Sequence, residues 1–460
     1  MMKYLCLCIC LFALLPFDEV KGEEYFFRVY LKDKGCSGYS VDQPEQFLSE
    51  EALQRRARQG IAVTESDLPI ASHYIEALEQ AGGRCVVQSR WLSTVVVETQ
   101  DSLTVNRLAA LPMVDSVKWV WKGERESQPM EEELSDRRLN PSQKPLKNPY
   151  GYAEEQITML NGIKLHQAGF MGQGMRVAII DAGFRHADRI SLFDSLQLLG
   201  THNVVFPDRS VFQGEDHGTK VLSCLAAQTS GIMIGTAPRA SYWLIKSEDG
   251  QYEYPMEEDY WAAAIEFADS VGVEVVSSSL GYFVFELEGS FYKPSDLDGQ
   301  TALITRAATM AAEKGLLIFC SAGNEGNSSW EKIIFPADAP GIVSVGAVTS
   351  GRKRCNFSSL GLTSDGRVKP DMVALGVGCC VVDSEGKIDY ANGTSFATPI
   401  LAGLGVCLWQ AFPQLSNKEL IALMQQYSHR YKHPDKEMGY GLPNVYKIYK
   451  KQKKYAVDFN

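Results

Sequence analysis

Residues 392–399 read NGTSFATP, and they lead into a helix predicted from Pro399 to Phe412 that is apolar almost all round. A helix without a polar face belongs in the middle of a core. Ser395 falls in its first turn, where backbone N–H groups lack helical partners and the helix dipole favours negative charge. A nucleophile at this position has a donor ready for the oxyanion that its attack creates. Pro399 has no N–H to donate to the carbonyl group of Ser395, so the turn is predicted to be irregular.

The residues before this helix alternate between short apolar runs and amphipathic helical patterns. The helical patterns cover Met256–Val271 and Gln300–Lys314. The apolar runs are near-continuous, as in strands covered on both faces, and they are Arg176–Ile180, Tyr242–Ile245, Val273–Ser277, Leu316–Cys320 and Ile342–Val345. This alternation predicts an α/β fold with a doubly wound parallel sheet, whose strand ends form the usual functional crevice.

Three further polar residues stand where such a crevice is expected. Asp181 ends the first apolar run, His217 opens a helical pattern in the sequence DHGT, and Asn324 follows a buried run in SAGNEG. Taken alone, each has an ordinary structural interpretation: a turn-forming aspartate, a capping histidine and an asparagine in a glycine-rich turn. Together with the hydroxyl group of Ser395 at one sheet edge, they would suit nucleophilic catalysis.

With these four residues in this order, the chain from about residue 150 to about residue 446 resembles the subtilisin-like serine proteases, the subtilases. The resemblance implies that Ser395 attacks the scissile carbonyl group, and that His217 takes the hydroxyl proton and gives it to the leaving amine. Asp181 would orient the imidazole, and Asn324 would hold the oxyanion together with the Ser395 N–H. We therefore expect a serine endopeptidase that works through an acyl-enzyme intermediate.

The resemblance also implies a substrate-binding surface, along which the substrate is added as a strand. Two segments would flank the pocket for the residue before the cut, and their glycines permit close main-chain approach. The matching residues are Ser279, Leu280, Gly281, Ser321, Ala322 and Gly323. Ile334 stands in the far wall of that pocket, where small residues often occur. We expect its bulk to narrow the pocket and to disfavour large aromatic residues before the cut.

No cofactor is expected, and the sequence gives little support for a metal ion. Seven histidines are present, but none forms HExxH or a paired Cys/His cluster with zinc spacing. Gln228–Gly235 is short where calcium-binding subtilases carry a longer loop, so structural calcium is unsupported. Lys220 and Phe396 replace a second histidine and a methionine that are frequent in the family, and neither position belongs to the catalytic set.

The composition argues against other classes of protein. The 45 Lys and Arg against 56 Asp and Glu give a formal net charge of −11, which leaves no excess of cations for nucleic acid. No GxGxxG or GxxxxGK[ST] loop follows the first apolar run, so nucleotide binding is disfavoured. A subtilase fold that only binds partners remains as an alternative, against which the complete catalytic set argues. The expected partners are protein or peptide substrates, and the basic tail Lys450–Lys454 is interpreted as a solvated end.

The first 22 residues have the features of a secretory signal peptide. Lys3 precedes an apolar run from Tyr4 to Phe17, and the small residue Gly22 follows. The run is shorter than the roughly 20 residues that a membrane-spanning helix needs. We expect cleavage near Gly22, export to the periplasm or the extracellular space, and no integral membrane segment in the mature chain. A lipid anchor and a buried N-terminal helix are the alternatives.

The cysteine residues do not define a disulfide framework. Export permits disulfides, but Cys224, Cys320 and Cys407 lie in apolar runs, where a free thiol packs as a small hydrophobe. We expect mostly buried thiols, and spacing does not decide any pairing.

Residues 23–121 have the pattern of a small α+β domain. The predicted strands are Tyr25–Leu31, Ser93–Thr99 and Val117–Trp121, and the predicted helices are Ser49–Gln59, Ala71–Ala81 and Ser102–Leu111. The order strand, helix, strand, strand, helix, strand, with one extra helix, resembles the ferredoxin-like prodomains of subtilases. Such a prodomain covers the cleft as an intramolecular inhibitor and assists folding, since parallel sheets form slowly. A permanent accessory domain is the alternative.

Residues 122–149 separate this domain from the catalytic domain, residues 150–460. They are rich in charge and proline and lack apolar periodicity, so they are interpreted as a solvated linker. We expect the protein to be made as a zymogen and to be cut within this linker during maturation.

Overall fold

The computed structural model describes residues 23–123 and 138–458, with side chains up to residue 454. The predicted signal peptide, residues 1–22, and the middle of the predicted linker, residues 124–137, lie outside these ranges. The domain boundaries placed at residues 22, 121 and 149 therefore stay predictions.

The N-terminal domain is built on a four-stranded antiparallel sheet. Its elements are β1 (Glu24–Leu31), α1 (Glu50–Gln59), α2 (Ser72–Gln80), β2 (Arg84–Ser89), β3 (Thr94–Thr99), α3 (Thr104–Ala109) and β4 (Val114–Gly123). The strands lie in the order β2-β3-β1-β4, and each neighbouring pair is antiparallel. This arrangement confirms the predicted ferredoxin-like order with one extra helix. Only β2 was not located by residue in the sequence.

Strand β1 shows how this small sheet is buried on both faces. Side chains alternate between the faces of a strand. Phe27 and Val29 pack into the core of the N-terminal domain together with Leu78 of α2. Phe26 belongs to the core of the large domain, and Arg28 on the same face is 1% exposed. The large domain therefore covers the sheet face that the small domain cannot bury itself.

The large domain is built around a seven-stranded parallel sheet. Its strands lie in the order β13-β12-β11-β10-β5-β9-β6, and every neighbouring pair is parallel. In chain order, the elements of the first half of the large domain are α4 (Glu154–Thr158), α5 (Gly162–Gln167), β5 (Arg176–Asp181), β6 (Gln197–Asn203), α6 (His217–Ala226), β7 (Gln228–Thr229), β8 (Met233–Ile234), β9 (Ser241–Lys246), α7 (Glu257–Ser270) and β10 (Val275–Ser278). The sheet confirms the predicted doubly wound α/β architecture.

The second half of the large domain completes the sheet and adds the long core helix. Its elements are α8 (Leu303–Glu313), β11 (Leu317–Ser321), β12 (Val343–Val348), β13 (Met372–Leu375), β14 (Cys379–Val382), β15 (Ile388–Ala391), α9 (Thr394–Ala411), α10 (Asn417–Gln426) and α11 (Val445–Asp458). β14 and β15 form a separate antiparallel pair. Both edge strands of the large sheet, β6 and β13, were missing from the sequence prediction.

Helices cover the large sheet on both faces, and the side chains of β5 show the division. Val177 and Ile179 lie in one core with residues of α6 and α9. Ala178 and Ile180 lie in a second core with residues of α7 and α8. Because alternate residues of a buried strand face opposite layers, a parallel strand needs apolar residues throughout.

Helix α9 is apolar because it lies inside the domain. Among the described residues it is the one helix with the length and composition to cross a membrane, but 83% of that stretch is buried. It contacts four neighbouring strands, β10 to β13. Packing within the core therefore accounts for its composition.

The described cysteines are all free thiols. Six of them are buried, including Cys224, Cys320 and Cys407. Cys36 is exposed. Burial raises the pKa of the Cys320 thiol to about 12, which keeps that group protonated and unreactive.

Candidate active site

The imidazole of His217 is anchored by a buried carboxylate. His217 begins α6, and its Nδ1 lies 2.6 Å from Oδ1 of Asp181, the last residue of β5. Asp181 is fully buried, and its Oδ1 also accepts a hydrogen bond from the Ala182 N–H at 2.9 Å. Burial alone would lower the pKa of His217. The negative charge of Asp181 and the hydrogen bond between His217 and Asp181 raise this pKa above its ordinary value. The geometry favours the tautomer with the proton on Nδ1, which leaves Nε2 free to act as a base.

Ser395 stands in the first turn of α9, as the sequence predicts. The carbonyl oxygen of Ser395 accepts a hydrogen bond from Ser279 Oγ at 2.8 Å. The hydroxyl group of Ser395 donates to the carbonyl oxygen of Ser279, 3.5 Å away. The ring of His217 lies 5.8 Å from that of Phe396, the residue after Ser395, and both His217 and Ser395 line the same cleft.

Asn324 is held at the start of the same helix. Its Oδ1 accepts hydrogen bonds from the Thr394 N–H at 2.9 Å and from Thr394 Oγ1 at 3.1 Å. Because the amide oxygen is occupied, the amide NH₂ is the group left for the cleft. This is the donor that an oxyanion site requires. Asn324 is exposed, so a substrate can reach this donor.

One cleft of about 510 Å³ brings most of the predicted site residues together. Those lining it are His217, Ser279, Leu280, Gly281, Ser321, Gly323, Asn324, Ile334 and Ser395. Asp181 lies behind His217 and is fully buried. Ala322 is also fully buried. Its backbone is already paired, since its N–H donates to the carbonyl oxygen of Val345 and its carbonyl oxygen accepts from the Ile334 N–H. Ala322 thus lies behind the surface on which substrate would rest.

Ile334 fills the space between two glycines of the cleft. A Cβ atom built on Gly281 would lie 2.8 Å from Ile334 Cδ1, and one built on Gly323 would lie 3.0 Å from Ile334 Cγ1. Larger residues at either glycine would clash with the isoleucine. The pocket at this end of the cleft is therefore narrow and apolar.

Four glutamates line the same cleft and were missed in the sequence. They are Glu215, Glu248, Glu253 and Glu286. Burial, followed by the charge of Asp181, raises the pKa of Glu248 to about 7. Burial, followed by the charges of Glu248 and Glu286, raises the pKa of Glu253 to about 8. A signal was available only for Glu215, which stands two residues before His217.

Gln228–Gly235, the segment that is shorter than the loop of calcium-binding subtilases, contains a tight hairpin. β7 and β8 pair as two-residue strands, with Gln228 opposite Ile234. Within residues 23–123 and 138–458, no group of three or more His, Cys, Asp or Glu side chains is arranged to hold a metal ion. The expectation that neither calcium nor another cofactor is required stays a prediction.

The sequence of the large domain matches one protein family, and that of the small domain matches another. Residues 172–441, more than half of the chain, match the subtilase family. Residues 26–135 match the peptidase S8 propeptide domain of Bacteroidota. The two matches correspond to the two sheets described above.

Individual relatives agree with this result. Over 279 residues, 59% of this chain, the sequence is 32% identical to subtilisin NAT of Bacillus subtilis subsp. natto and 31% identical to the subtilisin of Bacillus pumilus. The alignment spans 64% of the length of the first protein and 88% of the second. Subtilisin BL of Lederbergia lenta is 30% identical over 267 residues, 87% of its length. The chain therefore belongs to the subtilase family and carries a propeptide domain of the peptidase S8 type.

Proposed function

We propose that this protein is an exported serine endopeptidase, made as a zymogen, that hydrolyses peptide bonds with Asp181, His217 and Ser395. The observation that carries this proposal is the 2.6 Å contact between His217 and the buried Asp181, in one cleft with Ser395 and Asn324. Membership of the subtilase family supports the same chemistry. The four residues are of the types that acyl transfer uses as nucleophile, base, orienting carboxylate and oxyanion donor.

The mechanism has two halves. In the first, Ser395 Oγ attacks the carbonyl carbon while Nε2 of His217 takes the hydroxyl proton. Asp181 stabilises the imidazolium ion, and the Asn324 NH₂ and the Ser395 N–H donate to the oxyanion. His217 then gives its proton to the leaving amine, which departs and leaves the acyl group on Ser395. In the second half, His217 activates a water molecule, whose attack releases the acid product and restores the hydroxyl group.

The packing of the two domains supports an inhibitory role for the N-terminal domain. One face of its sheet is buried only because the large domain covers it. Trp121, near the end of β4, packs against Tyr252, which lines the catalytic cleft; the ring centroids are 6.0 Å apart. The last strand of the small domain therefore ends beside the cleft, as an inhibitory domain would require. The predicted signal peptide and the resemblance to exported proteases support export.

A fluorophosphonate probe and the size of the purified protein test this proposal together. We expect the wild-type protein to be labelled and to accumulate as a shorter chain, with a new N-terminus between about residue 122 and residue 150. The Ser395→Ala variant should be neither labelled nor shortened. Ser328→Ala is a matched control, since Ser328 lies outside the cleft, and it should behave as the wild type. Wild-type protein that resists the probe would refute the enzymatic assignment, and equal lengths for wild type and Ser395→Ala would refute self-processing.

A further inference from the structure

Acidic side chains outnumber lysine and arginine side chains in the lining of the catalytic cleft. We call its four glutamates the acidic wall: Glu215, Glu248, Glu253 and Glu286. Among the described residues that line this cleft, none is lysine or arginine. The acidic wall alone would not define a ligand site. The independent observation is that the proposed nucleophile, Ser395, and the proposed oxyanion donor, Asn324, line the same cavity, so that whatever lies along the wall is the substrate.

The acidic wall consists of two pairs. Glu215 precedes His217 by two residues, and a Cβ atom built on Gly250 would lie 3.0 Å from Glu215 Cγ. Glu215 therefore lies against the loop that carries Glu248. In the second pair, the Glu286 N–H donates to the carbonyl oxygen of Glu253 at 2.7 Å. The Glu253 N–H donates in return to Glu286 Oε1 at 3.3 Å. Each pair brings together glutamates from separate segments of the chain.

The surroundings of the wall add further acidic groups and little positive charge. Lys246 is 3% exposed and donates to the carbonyl oxygen of Ala182, so it is held behind the cleft. Glu257, 3% exposed, has an Oε2 atom without a hydrogen-bond partner. Tyr282, 1% exposed, has a hydroxyl group without one. Because burial raises the pKa values of Glu248 and Glu253, a cation supplied from outside would meet negative charge mainly at the exposed side chains of Glu215 and Glu286.

We propose that the acidic wall selects substrates that carry lysine or arginine side chains near the scissile bond, at positions other than the one directly before the cut. This inference rests on the proposed endopeptidase function. The position before the cut is excepted because the pocket beside Ile334 is narrow and apolar. The linker proposed to be cut during maturation contains the adjacent pair Arg137-Arg138, so the chain carries a cationic sequence of the proposed kind.

Paired peptide substrates test the proposal on the purified, processed enzyme. Each pair differs at a single position near the cut and carries either arginine or glutamine there, and every position from four before to two after the cut is varied in turn. An exposed ion pair contributes only a small binding free energy. We therefore expect kcat/KM for the best arginine position to exceed that for glutamine by about three- to tenfold. The preference should shrink in about 0.5 M salt, because salt screens exposed charges.

Variants of the two exposed members of the wall then assign the effect. Glu215→Gln and Glu286→Gln should each lower the arginine preference by about two- to fivefold, while cleavage of the glutamine peptides stays within about twofold. Glu288→Gln is the matched control, because Glu288 is exposed in the same segment as Glu286 but does not line the cleft. It should leave the preference unchanged.

The outcomes separate this inference from the proposed function. Cleavage of all peptides without a charge preference would overturn the acidic wall as a selector and leave the endopeptidase standing. Equal losses on arginine and glutamine peptides in Glu215→Gln and Glu286→Gln would also overturn it, since the wall would then be structural. Failure to cleave any peptide, together with failure to react with the fluorophosphonate probe, would overturn both.

Discussion

The hydroxyl group of Ser279 donates to the carbonyl oxygen of Ser395 across 2.8 Å. In a regular helix this carbonyl group would accept from the N–H four residues later, but that residue is Pro399, which has none. Ser279 therefore supplies the hydrogen bond that the proline cannot. The proposed nucleophile is held by a side chain from the end of a neighbouring strand, β10, rather than by its own helix.

Removing this donor should destabilise the protein, and restoring an N–H should compensate. We expect Ser279→Ala to lower the free energy of unfolding by about 1–3 kcal/mol, because the partly buried carbonyl group of Ser395 would lose its hydrogen-bond donor. Pro399→Ala provides an N–H four residues after Ser395. In the double variant the loss caused by Ser279→Ala should therefore be smaller than it is alone. Urea unfolding of all four forms in a Ser395→Ala background, which prevents autolysis, measures the coupling. Strictly additive losses would contradict this role of Ser279.

The pH dependence of activity should reveal the contact between His217 and Asp181. The base must be neutral, so kcat/KM should rise with pH through the pKa of His217, which lies above its ordinary value of 6.5. Asp181→Asn removes the charge that raises this pKa and leaves the burial that lowers it. We expect the acidic limb of the kcat/KM profile to move to lower pH, while the rate falls by about 10⁴-fold.

Lys220 provides a control of opposite sign for this experiment. Its charge lowers the pKa of His217 and its side chain pairs with Asp216 at 2.8 Å. Lys220→Gln should therefore move the acidic limb slightly upward. Profiles of Asp181→Asn and Lys220→Gln that shift in the same direction would show that the limb does not report His217.

Most of the fold could be predicted from the sequence, and the proposed catalytic residues could be selected from it, because both depend on local patterns. A buried parallel strand such as β5 is a continuous apolar run, and Asp181, at its end, stands next to a recognisable turn. The edge strand β6 was missed because it is half-exposed and its residues, Gln197–Asn203, form no apolar run. β6 is a strand because it pairs with β9, and the local sequence of β6 does not show that this pairing will form.

The acidic wall and the domain interface could not be predicted because they depend on distant parts of the chain. Glu248 and Glu253 follow β9, and Glu286 follows β10, so their common surface exists only after folding. The same holds for Arg28 and Asp259, which are 231 residues apart and joined by hydrogen bonds from Arg28 Nε at 2.7 and 2.9 Å and from Arg28 Nη2 at 2.5 Å. Charge in a sequence gives no sign of which side chains will be buried together.

Asn324 should depend on Thr394 for its position. Asn324→Leu removes the proposed oxyanion donor, and a loss of about 10²–10³-fold in kcat is expected from the equivalent change in subtilisin. Thr394→Val keeps the amide but removes the hydroxyl group that donates to Asn324 Oδ1 at 3.1 Å. We expect a smaller fall in kcat, by about tenfold, with little change in KM, since a looser donor weakens transition-state binding. An unchanged kcat in Thr394→Val would show that the Thr394 N–H alone positions the amide.

The narrow pocket at Ile334 should control which residue is accepted before the cut. Ile334→Gly opens the space between Gly281 and Gly323, so we expect preference to move from small or medium side chains towards phenylalanine and tyrosine. A peptide library profiled with both enzymes measures the change. Ile333→Val is a suitable control, because Ile333 is fully buried beside this position but does not line the cleft. A wild-type enzyme that already prefers phenylalanine or tyrosine would refute the predicted narrowing.

The N-terminal domain is joined to the large domain by a network of buried charges. Arg56 of α1 donates to Asp67 at 2.9 and 3.0 Å and to Asp269 of α7 at 2.6 Å. Arg55 also donates to Asp269, and Lys314 of the large domain pairs with Asp67 at 2.7 Å. All five side chains are at most 8% exposed. Acidic and basic groups thus alternate across the interface, and each domain contributes both signs.

Breaking this network should release the small domain once the linker has been cut. Asp269→Asn leaves Arg55 and Arg56 buried with too little negative charge, and disruption of a buried ion pair costs about 3–5 kcal/mol. We therefore expect the affinity between the cleaved domains to fall by about 10²–10³-fold. In gel filtration of linker-cleaved protein, the wild type should retain its N-terminal domain and Asp269→Asn should lose it. Arg58→Gln is the matched control, because Arg58 pairs with Glu274 at the same interface but is 46% exposed, so its pair should contribute about 0–1 kcal/mol. Equal retention in Asp269→Asn and Arg58→Gln would show that apolar packing around Phe26 and Trp121, and not the buried charges, holds the domains together.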